Sequence, residues 1–356
     1  MINFSITSDL LSLVASCATL AERANIGAAR GVCVAGPCEA FASTDGEASL
    51  VSSGFDWTSD WVLVPAGKLL GALKAIGSGE ATWEVVGEVV KICSGKTRFT
   101  IPLLPKGDFP RAEILKALKA DATACLSLQG QNSRQFFAAL DAVSHSCATE
   151  SARFTMTGIC VDTDCVVATD GRRLAKCVIG AGGATKPFVI PSKAVGLFRT
   201  MLGDAEMVEI TVSPNALAIT SDKVTVATQL VEGKFPDYRS ILPRRFEHEI
   251  TVIGAEFAAA IRRAMVMVDT GVKRMNMDFT AGQVGFSCKT TEGGEAFSEL
   301  AVDWSGPDAT ISVNPQFVLQ ALKSAEADEI SLRVNLGGKP IVFQSGNFLS
   351  MIMPMG

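Results

Sequence analysis

Phe188-Val-Ile-Pro-Ser-Lys-Ala-Val-Gly-Leu-Phe-Arg-Thr-Met-Leu202 reads as a short apolar strand, a proline and an amphipathic helix. Pro191 closes the strand and opens the helix, where its missing N–H is no loss. The phrase occurs twice more. Trp61-Val-Leu-Val-Pro65 runs into Lys68-Leu-Leu-Gly-Ala-Leu-Lys-Ala-Ile76, and Ile311-Ser-Val-Asn-Pro315 into Phe317-Val-Leu-Gln-Ala-Leu-Lys-Ser-Ala325. The three prolines stand 126 and 124 residues apart. Other marks keep the period: Thr44-Asp-Gly46 returns as Thr169-Asp-Gly171 and loosely as Thr291-Glu-Gly293, and Asp108-Phe-Pro110 as Lys234-Phe-Pro236. The chain is a threefold repeat of roughly 120 residues, and the repeat decides the fold. Its units are expected at 1–120, 121–243 and 244–356, each of ordinary domain size.

Working outward, each repeat splits into two copies of strand–helix–three strands. In the first repeat, Ile2–Ile6 alternates as a strand, Asp9 is placed to cap a helix through Leu20, and 31–53 reads as a meander. After the proline phrase come strands over 82–86, 89–94 and 98–103. The second repeat begins at 124–128, with a helix over 132–143 and strands from Arg153 to Ile179. Its second half adds strands over 207–212, 216–220 and 224–231. The third repeat begins at 249–253, with a helix over 255–267 and closing strands over 331–335, 340–344 and 349–353. The linkers, near Lys116–Asp121 and Pro243–Glu247, are short and charged. Six β-α-β-β-β units make an α+β fold whose outer strands expose unpaired N–H and C=O groups. Neighbouring units can pair them, and a head-to-tail partner can pair the two left at the ends. A monomer with edges blunted by Lys96 and Arg98 is the other solution, and the sequence favours neither.

Composition sets limits. The chain is 48% hydrophobic and 19% charged, which is globular, and its net charge of −5 announces no nucleic-acid partner. Ten cysteines and two histidines hold no Cys-x-x-Cys spacing, so they read as reduced thiols, several of them small core residues. The uncharged run Leu10–Ala21 is too short for a bilayer and lacks a basic leader, so a cytoplasmic protein is expected. Charge placement is more informative. Helices taken as 9–20, 66–76, 132–143, 192–202, 255–266 and 315–325 hold eight basic residues (Lys68, Lys74, Arg134, Lys193, Arg199, Arg262, Arg263, Lys323) against Asp9, Asp141 and Glu256. The helices net +5 in a chain whose remainder nets −10. Gathered on one side, they would meet phosphates without reading bases; dispersed, they are ordinary solvated faces.

No catalytic constellation emerges. Ser94-Gly-Lys-Thr97 ends like a phosphate loop, but Val90 stands where the leading glycine is needed. Asp162, Asp164 and Asp170 fall at expected hairpin turns and read as solvated turn residues rather than metal ligands. His145 and Cys147 are two apart, which on a helix end does not bring them together. Gly180-Ala-Gly-Gly183 leads into a strand, so it is a loop.

Ala168-Thr-Asp-Gly-Arg-Arg-Leu-Ala175, Lys234-Phe-Pro-Asp-Tyr-Arg-Ser-Ile-Leu-Pro243 and Met353-Pro-Met355 resemble the signatures of the bacterial sliding clamps, the β subunits of DNA polymerase III. The resemblance spans the chain. It implies a non-catalytic, cofactor-free processivity factor: a three-domain chain that dimerises head to tail into a ring around duplex DNA, helices inside and sheets outside. It implies a pocket for the short peptides of the polymerase III α subunit, the clamp loader, and other polymerases and repair proteins. Carried over by motif, that pocket is Met156, Thr169, Gly171, Arg172, Arg173, Leu174, Pro236, Ser240, Ile241, Met351, Met353, Pro354 and Met355. Methionines beside a proline and aliphatics suit a site that accepts many related sequences; read alone, Met351–Met355 is also an ordinary last strand. Arg173 is expected as a rim charge. Leu69, Leu73, Phe99, Val266 and Met267 are carried over to the dimer contact. Lys68, Lys74, Arg134, Lys193, Arg199, Arg262 and Lys323 are placed on the DNA side, with Arg23 added by its loop position. The chain departs from the family where it stops at Gly356 instead of continuing with Arg and Leu. It departs also at Ser240 (often arginine), at Arg172 (commonly histidine) and at Glu150, near a DNA-facing spot. A specialised plasmid- or phage-type clamp for a translesion or viral replisome is the alternative within the class. A catalytic repeat enzyme is the alternative outside it, told apart by native mass and turnover.

Overall fold

The computed structural model describes residues 2–24, 30–36, 38–45, 48–56, 60–109, 124–149, 151–181, 183–267 and 273–356. Pro37, Gly46, Pro110, the linker Lys116–Asp121, Glu150 and Gly182, on which some sequence readings rested, lie outside them. The first repeat runs β1 (Ile2–Ile6), α1 (Ser8–Arg23), β2 (Gly31–Ala35), β3 (Ala40–Thr44), β4 (Ala48–Ser52), then β5 (Trp61–Pro65), α2 (Ala66–Ile76), β6 (Gly79–Val86), β7 (Val89–Ser94) and β8 (Thr97–Pro102). The second runs β9 (Ala124–Gln129), α3 (Gln131–Ser144), β10 (Gly158–Val161), β11 (Cys165–Thr169), β12 (Arg173–Val178), then β13 (Phe188–Pro191), α4 (Ser192–Leu202), β14 (Met207–Val212), β15 (Ala216–Thr220) and β16 (Val224–Gln229). The third runs β17 (His248–Ile253), α5 (Gly254–Ala264), β18 (Met275–Thr280), β19 (Gln283–Lys289), β20 (Glu295–Ala301), then β21 (Ala309–Val313), α6 (Pro315–Ser324), β22 (Glu329–Val334), β23 (Ile341–Ser345) and β24 (Phe348–Ile352).

All six strand–helix–three-strand units are present, but no sheet belongs to one unit. Within each repeat the leading strands are exchanged: β1 pairs with β6, and β5 pairs with β2. The helix that follows each leading strand carries the chain on to the next sheet. Two half-sheets then join edge to edge, giving eight-stranded antiparallel sheets ordered β5-β2-β3-β4-β16-β15-β14-β9 and β13-β10-β11-β12-β24-β23-β22-β17. Two four-stranded sheets remain, β1-β6-β7-β8 and β20-β19-β18-β21. The chain folds into two compact units, one of Met1–Phe137 with Lys193–Leu230 and one of Ala138–Ser192 with Val231–Gly356. Each contains one sheet of each kind.

The local chemistry differs from the sequence reading at a few points. The α1 cap is Thr7, whose Oγ1 accepts from Leu10 N at 3.1 Å, while Asp9 sits in the first turn, where an acid suits the helix dipole. Only Pro315 lies inside a helix; Pro65 and Pro191 end strands β5 and β13, each at an outer edge of its sheet, where the ladder needs no N–H from it. The strand expected from Arg153 begins at Gly158. Residues Ser151–Thr157 form a 3-10 turn instead, closed by Thr157 Oγ1 donating to Phe154 O at 2.7 Å. Helices pair over the sheets: α1 on α2 in one unit, α5 on α6 in the other. Phe257 of α5 meets Phe286 and Phe343 edge-on in the second core, at centroid distances of 5.0 and 6.1 Å. Burying one such ring contributes about 2–3 kcal/mol.

Candidate functional site

The turn between β11 and β12 is fixed by its own side chains. Asp170 Oδ1 accepts from the backbone N–H groups of Arg172 (2.8 Å) and Arg173 (3.0 Å). Thr169 Oγ1 donates to Arg173 O at 2.6 Å and accepts from Gly171 N at 3.1 Å. Gly171 takes φ +84°, a conformation that a side chain would strain. The turn sends Arg173 inward. Its Nε donates to Asp170 Oδ2 at 3.1 Å, its guanidinium lies 4.0 Å from the Phe317 ring centroid, and it donates to Gln320 Oε1. Burial pushes its pKa down, and Asp170 opposes that. The expected rim charge is therefore a buried tie between the second repeat and the first turns of α6.

Register brings two of the expected pocket residues together. Strand β12 pairs with β24 so that Leu174 lies opposite Met351, and both are buried. Beyond Ile352 the chain leaves the sheet, held by Met353 N donating to Arg172 O (2.9 Å) and Met355 N to Ser312 O (2.8 Å). Arg172, Asn314, Phe317, Met353, Pro354, Met355 and Gly356 enclose a cavity of about 320 Å³. Across the tail, Pro354 and Met355 also wall a groove of about 550 Å³ that includes Arg274 and Lys339. Pro236 and Ile241 flank a short turn, Tyr238–Ser240, with Ser240 and Ile241 exposed. Tyr238 is packed with Leu174 and Met351. Of the expected pocket residues, Arg172, Met353, Pro354 and Met355 line these cavities, whereas Thr169, Gly171, Arg173, Leu174, Pro236, Ser240, Ile241, Met351 and Met156, half-buried at the end of the 3-10 turn, line neither.

Several of these residues escaped the sequence reading. Asn314 carried a readable signal, a cap residue before a proline; its Oδ1 accepts from Gln316 N at 3.0 Å. Phe317 and Gln320 were hidden in an unremarkable helix pattern. Asp162 contradicts its assignment as a solvated turn residue, being only 3% exposed. It accepts from Thr163 N (2.8 Å), Tyr238 OH (2.9 Å) and Arg239 Nη2 (2.9 Å). Burial alone would raise its pKa, but these donors prevail and hold it below the usual carboxylate value.

The basic residues Arg23, Lys68, Lys74, Arg134, Lys193, Arg199, Arg262 and Lys323 are all exposed helix residues. With the observed helix bounds Arg23 joins α1 together with Glu22, so the helical net charge stays at +5.

The sheet edges are the second feature. Strands at equivalent places in the three repeats have different fates. At the joins of the two eight-stranded sheets, every residue of β4 is buried, and β24 is buried except at Leu349. Their counterparts β20 and β8 end the two four-stranded sheets and are mostly exposed. Phe297 on β20 is 64% exposed and Val266, beside that strand, 77%; Met267 is exposed too, and Phe99 on β8 half-exposed. Phe297 was missed, though an aromatic at an outward strand position was legible. Leu69 and Leu73, expected at the same contact, are fully buried on the inner face of α2 and offer it no surface.

Paired half-sheets under helices, repeated along one chain, are the architecture of a sliding clamp. The structure matches that of a sliding clamp from Bartonella birtlesii bound to griselimycin, with a TM-score of 0.88, 22% identity and coverage of 100% of this chain and 99% of that one. In sequence, the chain is 25% identical to the beta sliding clamp of Pseudomonas putida over 83% of its own length and 81% of that protein's. It is 26% identical to the clamp of Chlamydia pneumoniae over 78% and 76%. The models of the central and C-terminal domains of the DNA polymerase III beta subunit match residues 131–237 and 239–355. The chain belongs to the DNA polymerase III beta-subunit family. Among the described residues no helix is long and apolar enough to cross a membrane, and no group of three His, Cys, Asp or Glu side chains is placed to hold a metal ion.

Proposed function

We propose that this chain is a processivity factor, a sliding clamp that encircles duplex DNA as a homodimeric ring and tethers its polymerase. The observation that carries it is the pair of spare half-sheets. Edge β20 has the place in its repeat that β4 and β12 have in theirs, and β8 the place of β16 and β24. Joining β20 of one protomer to β8 of another, twice, completes two more eight-stranded sheets, leaves no half-sheet unjoined and closes a ring. The three repeats, 1–120, 121–243 and 244–356, are then the three domains of each protomer. The exposed basic helix residues meet phosphates in any sequence, and no catalytic step is required of them. The peptide pocket is built by Arg172, Leu174, Pro236, Ile241, Met351, Met353, Pro354 and Met355, with Asn314 and Phe317 added and Arg173 behind them. In this reading it receives the linear peptides of the polymerase, clamp loader and repair proteins, and the protein works beside the DNA in the cytoplasm. A buried Leu or Phe of such a peptide contributes about 1.5–3 kcal/mol.

The test is retention on DNA after loading. The clamp is expected to stay on a circular plasmid through a high-salt wash and to leave when the circle is cut, whereas phosphate contacts alone weaken steeply with salt on either form. Equal loss from circular and linear plasmid would overturn encirclement.

A further inference from the structure

The pocket is built on one tyrosine, Tyr238, the only tyrosine in the chain. Its ring is buried among Cys165, Val167, Leu174, Val342 and Met351, of which Leu174 and Met351 are the floor in the proposed pocket. Its hydroxyl donates to Asp162 Oδ2 at 2.9 Å and lies 3.2 Å from Cys165 Sγ. The same Oδ2 receives Arg239 Nη2 at 2.9 Å, although the Arg239 side chain is 59% exposed. Arg239 also lies over the Tyr238 ring, 5.1 Å from its centroid. Backbone bonds carry the anchorage to the pocket wall: Tyr238 N donates to Pro236 O (2.8 Å) and Ile241 N to Tyr238 O (3.4 Å). A buried carboxylate on the β10–β11 turn thus grips two of the four residues between Pro236 and Ile241.

We propose that Asp162, Tyr238 and Arg239 form a latch that positions Pro236 and Ile241 and thereby sets the affinity of the pocket for an apolar peptide end. None of the three touches the peptide; they are positioning residues. The inference rests on the pocket reading above. Besides the latch, the turn is held by Ser240 Oγ donating to Asp237 O at 2.8 Å and by Phe235 and Leu242 packed on the core. Ser240 and Ile241 nevertheless stay exposed, and a wall displaced by an ångström loses close packing against its ligand. The latch is charge-assisted, so removing Arg239 or the Tyr238 hydroxyl leaves the buried Asp162 carboxylate one donor short.

The experiment uses the full chain, a fluorescent Gln-Leu-x-Leu-Phe-type peptide and 3-fluorotyrosine labelling, which puts a single fluorine reporter at Tyr238. Arg239→Ala is expected to fold, keep the parent oligomeric mass, move the fluorine resonance and weaken the peptide by roughly tenfold. Arg239→Lys should restore most of the affinity, because it returns a cation to Asp162; a purely steric role would show no such rescue. Tyr238→Phe, which keeps the ring, should weaken binding similarly in unlabelled protein. Adding peptide to the parent should shift the resonance. Unchanged affinity in Arg239→Ala and Tyr238→Phe would overturn the latch and leave the pocket standing, provided deletion of Met353–Met355 still abolishes binding. Peptide binding that survives that deletion would overturn both.

Discussion

At the scale of single residues, burial decides more than residue type. Arg173 and Lys223 are both basic and both paired with an aspartate at 3.1 Å. Arg173 is desolvated, stacked and bonded across two repeats, whereas the Lys223–Asp9 pair stands in water and adds little. Arg173 also acts on His145. Burial first, and the positive charge of Arg173 second, push the His145 imidazole down to about 4. Its Nδ1 lies 2.9 Å from Ala142 O and 3.2 Å from Ser324 Oγ. The unfolded chain therefore takes up a proton near the ordinary value of 6.5 that the folded chain refuses until about 4. The stability contribution is complete above that ordinary value and is lost as pH falls through the window, by at most about 3 kcal/mol. Urea unfolding across the window should show the decline, and His145→Gln should flatten it. An unchanged slope in His145→Gln would mean that the acid sensitivity belongs to other groups.

Among the elements, three glycines, two in sheets and one in a helix, show how sheets and helices differ. Gly158 opens β10 opposite Pro191 of β13, and a Cβ there would run into the carbonyl oxygen of Ile190. Gly31 lies opposite Pro65 in the corresponding place of the first repeat, where a Cβ would come within 2.7 Å of the Leu63 side chain. The edge strand carrying the proline can approach only a residue without a side chain. Gly196, in α4, has nothing within 4 Å of a built Cβ. Gly196→Ala should raise stability by about 0.5–1 kcal/mol through helix propensity. Gly158→Ala should lower it by more than that, because backbone must move. Thermal midpoints of the two variants decide this, and a stabilised Gly158→Ala would show that the β10–β13 edge is looser than its register implies.

At the scale of the whole molecule, the proposed join of two protomers runs through the free edges. A charge pressed between two joined edges must lose its water. Changing Val266 and Met267 together to aspartate should give a folded monomer of 37.4 kDa in place of a species of twice that mass. Native mass reads the result directly, and a double variant that remains dimeric would place the join elsewhere. Phe297→Lys should weaken the same contact, since it lies on the β20 edge itself.

The sequence by itself determined the threefold repeat, the six units, the near-complete set of strands and helices and the basic bias of the helices. These are set by hydrophobic period, proline placement and charge, all local to a few residues. The tail Met353-Pro-Met355 and the Thr169–Leu174 turn were legible only through the family resemblance, since read alone the tail is an ordinary last strand. Only the tertiary structure decided which strands share a sheet, because a half-buried strand can pair with any edge of matching pattern, and the exchange of β1 and β5 depends on where the helices carry the chain. Tertiary packing likewise turned Arg173 and Asp162 from surface charges into buried ties, and Leu69 and Leu73 from contact residues into core. Whether a side chain is in water depends on what arrives from more than 70 residues away, as Tyr238 does at Asp162, and no local pattern records that arrival.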